Sequence, residues 1–188
     1  MSSIIVSSSN TAQWQELVQD AENASQINLG EELESYLVFL LMRYMEKPEL
    51  LGRIMALEFL GSMESSGQLK QDLLRDVGDS CLLFSGFFPK IAEKRRVSIS
   101  YYVGIGKSAY YHLAESCQYT MNALYQQLVD GFVRLMDVLQ AIRSFDQATL
   151  LSPLEAFELW HTTGSRQAYA AIHSQNAIPV HKLSKRKH

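Results

Sequence analysis

Apolar residues recur every three or four positions along most of this chain, which is the spacing of one face of an α-helix. Alternation with a period of two, which predicts strands, is nowhere sustained together with hairpin turn residues. The 188 residues include only four prolines and ten glycines, so long stretches are free of helix breakers. We therefore predict an all-α fold, an irregular bundle of about six or seven helices.

Capping and turn residues divide the pattern into segments. The predicted helices cover about 10–24, 28–44, 48–64, 68–85, 98–117, 119–145 and 153–161, with a short basic segment at 90–96 and a further candidate at 166–173. We predict one helical domain over 10–173. A disordered N-terminus, 1–9, and a disordered basic tail, 174–188, would flank it.

Three helices have an apolar face that we expect in the core. On the third helix it is Leu50, Ile54, Leu57 and Leu60; on the fourth it is Leu69, Leu73, Val77, Cys81 and Phe84. On the long helix, Met121, Leu128, Leu135 and Ile142 recur every seven residues, beside Leu124, Phe132 and Leu139. A seven-residue repeat predicts an antiparallel bundle or a coiled-coil seam, through which a homodimer could form.

The segment Gly104-Ile-Gly-Lys-Ser108 ends like a phosphate-binding loop, but the rest of that motif is absent. The loop needs a glycine five residues before Gly106, and that position is Tyr101. A helix explains the glycines better, because Ser100, Gly104 and Ser108 then form a stripe of small residues. We expect another helix to pack closely against this stripe.

Composition excludes several classes of function. The net charge of −3 does not favour nucleic acid or an anionic membrane. The N-terminus lacks a signal peptide, and the most apolar run, 36–45, is too short to span a bilayer. Cys81 and Cys117 lie in apolar helical patterns, and we predict that they are buried thiols in a reducing compartment. By elimination, we expect the protein in the cytoplasm, in a bacterium-like setting.

The sequence contains no complete motif for a metal, a cofactor or a catalytic nucleophile. One Glu-x-x-His pair, Glu158 to His161, and one reversed pair, His112 to Glu115, are present, whereas a ferritin-like di-metal centre needs two such pairs and further glutamates. No Ser-His-Asp or Cys-His arrangement can be assembled. We therefore predict no metal, no cofactor and no catalytic residue.

Asp79 is the acidic residue most crowded by apolar neighbours on the fourth helix. A buried aspartate needs a charged or hydrogen-bonding partner. The basic segment that follows the Gly86–Pro89 turn could supply Arg95 or Arg96 to it. This arrangement would be a structural clasp rather than a catalytic group. The alternative is that Asp79 and the basic segment both lie on solvated faces.

Aromatic and basic residues near this turn are candidates for an interaction surface or a pocket, because tyrosine and arginine are enriched in interfaces. The two tyrosine pairs, at 101–102 and 110–111, should each have one ring inside and one outside. The candidates are Asp79, Phe87, Phe88, Arg95, Arg96, Tyr101, Tyr102, Lys107, Tyr110 and His112.

The run Gly78-Asp-Ser-Cys-Leu-Leu-Phe-Ser-Gly-Phe-Phe-Pro89, followed by Arg95-Arg-Val-Ser98, Tyr101-Tyr102 and Gly106-Lys-Ser-Ala-Tyr110, resembles a pattern of uncharacterised bacterial proteins. It covers about a sixth of the chain, and no activity comes with it. We predict a non-enzymatic protein-interaction or regulatory module with a protein partner, or a homodimer through the heptad seam or the Phe87–Phe88 turn. The alternative is a small-molecule binder or enzyme with a polar pocket between the fourth and fifth helices.

Overall fold

The computed structural model describes residues 8–46, 55–145 and 151–176, which form nine helices and contain no strand. The helices are α1 (Ser8–Ser25), α2 (Glu31–Glu46), α3 (Met55–Glu64), α4 (Gly67–Gly86), α5 (Pro89–Lys94), α6 (Ile99–Ser116), α7 (Tyr119–Phe145), α8 (Pro153–Thr163) and α9 (Arg166–Asn176). The all-α prediction is confirmed. The predicted number of helices is too low, because the short α5 and the terminal α9 are both formed.

The predicted tails are shorter than expected where they can be compared. Residues 8 and 9 belong to α1, and residues 174–176 belong to α9. The remainder of both predicted tails, and Leu50 and Ile54 of the third predicted helix, lie outside the described residues.

The centre of the bundle is the pair α4–α6, with α7 packed against both. α1 and α2 cover another side of α7, α3 lies on α4 and α6, and the pair α8–α9 rests against α6 and α7. Eleven of the last thirteen residues of α4 are buried, from Leu74 to Gly86, because this part of the helix is enclosed by its neighbours. The predicted fourth and fifth helices are therefore α4 and α6, and they adjoin.

The seven-residue seam of α7 faces the interior of the chain. Leu128, Leu135 and Leu139 are fully buried, and only the first position, Met121, is exposed. Because the chain's own helices cover it, this seam builds the bundle and is not open for a second copy.

The inner face predicted for α3 is wrong. Leu57 and Leu60 are exposed, whereas Met55 and Ser62 are buried. α3 carries apolar residues on more than one side, so spacing alone does not identify its core-facing side. On α4, Leu69 is likewise exposed, and Leu74 takes its place in the core.

Capping residues fix where the helices around the site begin. Ser98 caps α6, its hydroxyl accepting the backbone N–H of Tyr101. Ser152 and Glu155 form a reciprocal capping box at the start of α8. Gly164 ends α8 in the left-handed conformation, at φ 71°, and lets the chain turn directly into α9.

Candidate functional site

A buried aspartate joins three helices at the centre of the bundle. Asp79 of α4 is 2% exposed. Its Oδ1 accepts the hydroxyls of Tyr36 on α2, at 2.5 Å, and of Tyr110 on α6, at 2.7 Å. Its Oδ2 accepts Nη1 of Arg43 at 2.8 Å, and Nη2 of the same guanidinium donates to Asp76. We call these five residues the Asp79 clasp.

Burial governs protonation in the Asp79 clasp. Desolvation raises the pKa of Asp79 above its ordinary value, although the two tyrosine hydroxyls and Arg43 oppose this shift. Desolvation and the nearby carboxylate raise the pKa of Tyr36 and of Tyr110 well above the usual range. Both hydroxyls therefore stay protonated and keep donating. Because hydroxyls and a guanidinium from two other helices donate to it, the Asp79 carboxylate is suited to holding these helices together.

The arginine partner of Asp79 comes from α2, so the prediction that Arg95 or Arg96 supplies it is wrong. The Arg95 guanidinium carbon lies 5.4 Å from the ring centroid of Phe84. Arg96 is exposed in the turn before α6, at a φ of 54°. The basic segment that carries Arg95 therefore contacts α4 at Phe84 rather than at Asp79.

The residues that sequence reasoning missed are Tyr36 and Arg43. They are seven residues apart, so two helical turns place them on the same side of α2. Arg43 interrupts the most apolar stretch of the chain. A lone charge in such a stretch requires a buried counter-charge, and this signal could have identified the partner of Asp79.

Two glycines let α4 and α6 approach closely. A Cβ added at Gly78 would lie 2.4 Å from the ring of Tyr110. A Cβ added at Gly106 would lie 2.6 Å from the ring of Phe132 and 2.8 Å from the Cβ of Cys81. Since these side chains occupy the contact, the space between the two helices is filled.

The prediction that another helix packs closely against one side of α6 chose the wrong side, the stripe formed by Ser100, Gly104 and Ser108. Gly104 is exposed and has no atom within 4 Å of an added Cβ. The neighbouring side, with Tyr102, Gly106 and Tyr110, is the buried one. Both sides have the same spacing, so the pattern could not distinguish between them.

The remaining predicted site residues lie in the turn after α4 and on α6. Phe87 and Phe88 are half-buried, and Phe88 packs against Tyr44 at 5.6 Å between ring centroids. His112 is half-buried, with Nδ1 3.3 Å from Glu115. Lys107 is also half-buried.

The tyrosine pairs behave as predicted. Tyr102 and Tyr110 are buried, whereas Tyr101 and Tyr111 are exposed. Among the ten predicted site residues, Asp79 and Tyr110 are joined in the Asp79 clasp, and Arg95 hydrogen-bonds to Tyr102.

An open depression of about 260 Å³ lies over the Asp79 clasp, between α2 and α4. It is lined by Tyr36, Phe39, Leu40, Arg43, Arg75 and Asp79. Its floor is the carboxylate of Asp79, whose oxygens already accept hydrogen bonds, and Phe39 is exposed at its rim. The depression can accept a small group, but two of its charged lining residues, Arg43 and Asp79, already bind one another.

A second arrangement, which the sequence did not predict, lies on α8 and α9. Five rings form a continuous exposed array, which we call the α8–α9 aromatic surface: Phe157, Trp160, His161, Tyr169 and His173. Neighbouring ring centroids are 4.4 to 6.1 Å apart. Leu154, which is 78% exposed, extends the array along α8. Such a contiguous apolar patch marks an interaction site more often than scattered single residues do.

A second buried aspartate anchors the pair α8–α9. Asp137 of α7 accepts the hydroxyl of Ser165 at 2.5 Å and the backbone N–H of Arg166 at 2.8 Å. It therefore caps the N-terminus of α9 from another helix. Desolvation raises the pKa of Asp137 to about 6, against the opposing effect of these hydrogen bonds. This contact fixes α9 to the bundle.

Comparison with family models, with curated proteins and with solved structures finds no match to this chain. The resemblance to uncharacterised bacterial proteins therefore stays a prediction. Among the residues that the structure describes, no helix is both long and apolar enough to cross a membrane. The same residues contain no group of three or more histidine, cysteine or acidic side chains arranged to hold a metal ion.

Proposed function

We propose that this chain is a non-enzymatic, cytoplasmic protein-interaction module that binds a protein partner through the α8–α9 aromatic surface. The observation that carries the proposal is the exposure of adjacent rings on a well-anchored helix pair. Phe157, Trp160 and Tyr169 are 51%, 37% and 48% exposed. Aromatic anchors of this kind dominate the binding energy of protein interfaces.

The interior supports the same proposal. Side chains fill the contact between α4 and α6, where a polar pocket would lie in the alternative function, and Asp79 has its acceptors occupied. The two cysteines are free thiols, with Cys81 buried, which suits a reducing compartment. Of the two routes proposed for a homodimer, the α7 seam is covered and the Phe87–Phe88 turn is half-buried.

The test uses the full-length protein as bait in native lysate, followed by binding of the purified partner. A double variant, Phe157→Ser with Tyr169→Ser, should weaken that binding at least about ten-fold, because two aromatic anchors are lost. The matched control is Tyr111→Ser on α6, whose ring is 46% exposed and thus comparable to Tyr169. Equal affinity of the double variant and the wild type would refute the proposal.

The open depression over the Asp79 clasp favours a second candidate, a small-molecule binder. Arg75, whose buried Nε has no hydrogen-bond partner among the described residues, lies on its wall and Phe39 at its rim, so a carboxylate with an apolar group is the chemistry that fits. A thermal-shift screen of such acids tests this candidate. The candidate requires a ligand that raises the melting temperature of the wild type but not of Phe39→Ser.

A further inference from the structure

We infer that residues 177–188 cover the α8–α9 aromatic surface of their own chain, so that a protein partner must displace them. The displacement rests on the proposed function, whereas the covering can be measured without a partner. Three observations carry the inference: the size of the surface, the chemistry of the segment, and its position directly after α9.

The size of the surface fits a short segment, of this chain or of a partner, better than a second copy of the chain. An aromatic side chain offers about 200 Å², so the three half-exposed rings present about 300 Å². With Leu154 and the two histidines, the surface is on the order of 500 Å², whereas a stable dimer buries about 800 Å² on each partner. A dozen residues can cover the smaller area.

The segment has the chemistry that the surface lacks. Residues 177–188 read Ala-Ile-Pro-Val-His-Lys-Leu-Ser-Lys-Arg-Lys-His, with apolar residues first and four lysines or arginines afterwards. Ile178, Val180 and Leu183 can cover exposed rings. The cationic groups can lie over ring faces, which attract cations. Glu155 and Glu158 on α8 are hydrogen-bonded to Ser152 and Ser100, and α9 begins with Arg166, so the ring faces rather than carboxylates are the sites for these cations.

The segment can reach every ring of the array. α9 is 11 residues long, which is about 16 Å. An extended chain of twelve residues spans about 40 Å, more than twice that length. Pro179 cannot continue the helix, so the chain is free to turn back along α9 towards Trp160.

Trp160 provides the test, since the chain has one other tryptophan, Trp14. In a Trp14→Phe background, the full-length protein is compared with a variant carrying Ile178→Ser, Val180→Ser and Leu183→Ser. If the segment covers the rings, quenching of Trp160 by acrylamide should increase at least about two-fold in the variant, because solvent access to the ring increases. The control variant, Ser184→Ala, should behave as the parent protein does.

Two outcomes overturn the inference. Equal quenching in the parent and the triple variant would show that the segment does not cover Trp160. Protection of Trp160 that falls on dilution would show that the covering segment or surface comes from a second copy.

The result is separable from the proposed function. If the triple variant exposes Trp160 while the Phe157→Ser, Tyr169→Ser variant binds the partner normally, the covering stands and the proposed partner site fails. If Trp160 is unchanged while that double variant loses its partner, the covering fails and the proposed function stands.

Discussion

The pairs α4–α6 and α8–α9 both bring aromatic rings together at similar distances, yet they bury them to opposite degrees. Phe84 of α4 lies 5.1 Å from Tyr102 of α6 in the interior, and both rings are buried. Trp160 of α8 lies 5.6 Å from Tyr169 of α9 on the surface, and both are exposed. Rings of the first pair stabilise the fold of this chain. Rings of the second retain contact area that only another segment or protein can cover.

The two pairs also differ in how a buried carboxylate anchors them. Asp79 is balanced by a guanidinium and two hydroxyls from other helices. Asp137 is balanced by a hydroxyl and the N-terminus of α9, with no such side-chain cation in contact among the described residues. The first anchor therefore depends on a salt bridge and the second on a helix end, and the two should respond differently to substitution and to pH.

The largest effect is expected at the close approach of α4 and α6. Gly106→Val should lower the free energy of unfolding by about 3 kcal/mol, because the added atoms overlap the ring of Phe132 and the Cβ of Cys81. Chemical denaturation monitored by circular dichroism measures the change.

Gly104→Ala is the matched control, two residues away on the same helix. It has open space around an added Cβ, so it should raise the free energy of unfolding by up to about 1 kcal/mol through helix propensity. Equal effects of the two substitutions would contradict the assignment of the Gly106 side of α6 to the interior.

The next largest effect is expected in the Asp79 clasp. Arg43→Met should lower the free energy of unfolding by about 2 kcal/mol, because it leaves the charge of Asp79 buried without its cation. Arg96→Gln should change it by less than about 0.5 kcal/mol, since this side chain is exposed. The double variant Asp79→Asn with Arg43→Met should lose less free energy of unfolding than the two single variants lose in sum. Additive effects would show that the two residues are not coupled.

Spacing on the helices predicted the all-α fold and most of the core, but it could not predict which side of a doubly apolar helix faces inward. α3 and α6 each offer two sides with similar spacing, and contacts with other helices decide between them. The prediction of the arginine partner of Asp79 was wrong for a related reason. Arg43 is 36 residues away in the sequence, whereas Arg95 was the nearby cation beyond a turn. The α8–α9 aromatic surface could not be predicted from the sequence, because solvent exposure rather than residue type defines it.

A smaller effect, on pH dependence, is expected at Asp137. Its pKa of about 6 in the folded protein lies above the ordinary value of 3.8, so the folded state binds the proton more strongly than the unfolded state. The contribution of Asp137 to the free energy of unfolding should therefore increase as pH falls from about 7 to about 4, by on the order of 2 kcal/mol. Urea denaturation across this range, for the wild type and Asp137→Asn, isolates the contribution.

The reference for this comparison is the difference between the two proteins at each pH. That difference should grow in favour of the wild type at acidic pH, because asparagine does not titrate. A difference that is flat with pH, or that shrinks on acidification, would contradict the buried titration of Asp137.

The smallest effect on stability is expected at the α8–α9 aromatic surface, where the contrast with the interior is clearest. Phe157→Ser should change the free energy of unfolding by less than about 1 kcal/mol, because half of the ring is already exposed. Phe132→Ala should cost about 3 kcal/mol, as much as Gly106→Val, since that ring is fully buried. Thermal and urea denaturation of both variants measures the difference. A loss at Phe157 as large as that at Phe132 would mean that the α8–α9 rings hold the fold together, and their exposure would then no longer argue for a partner.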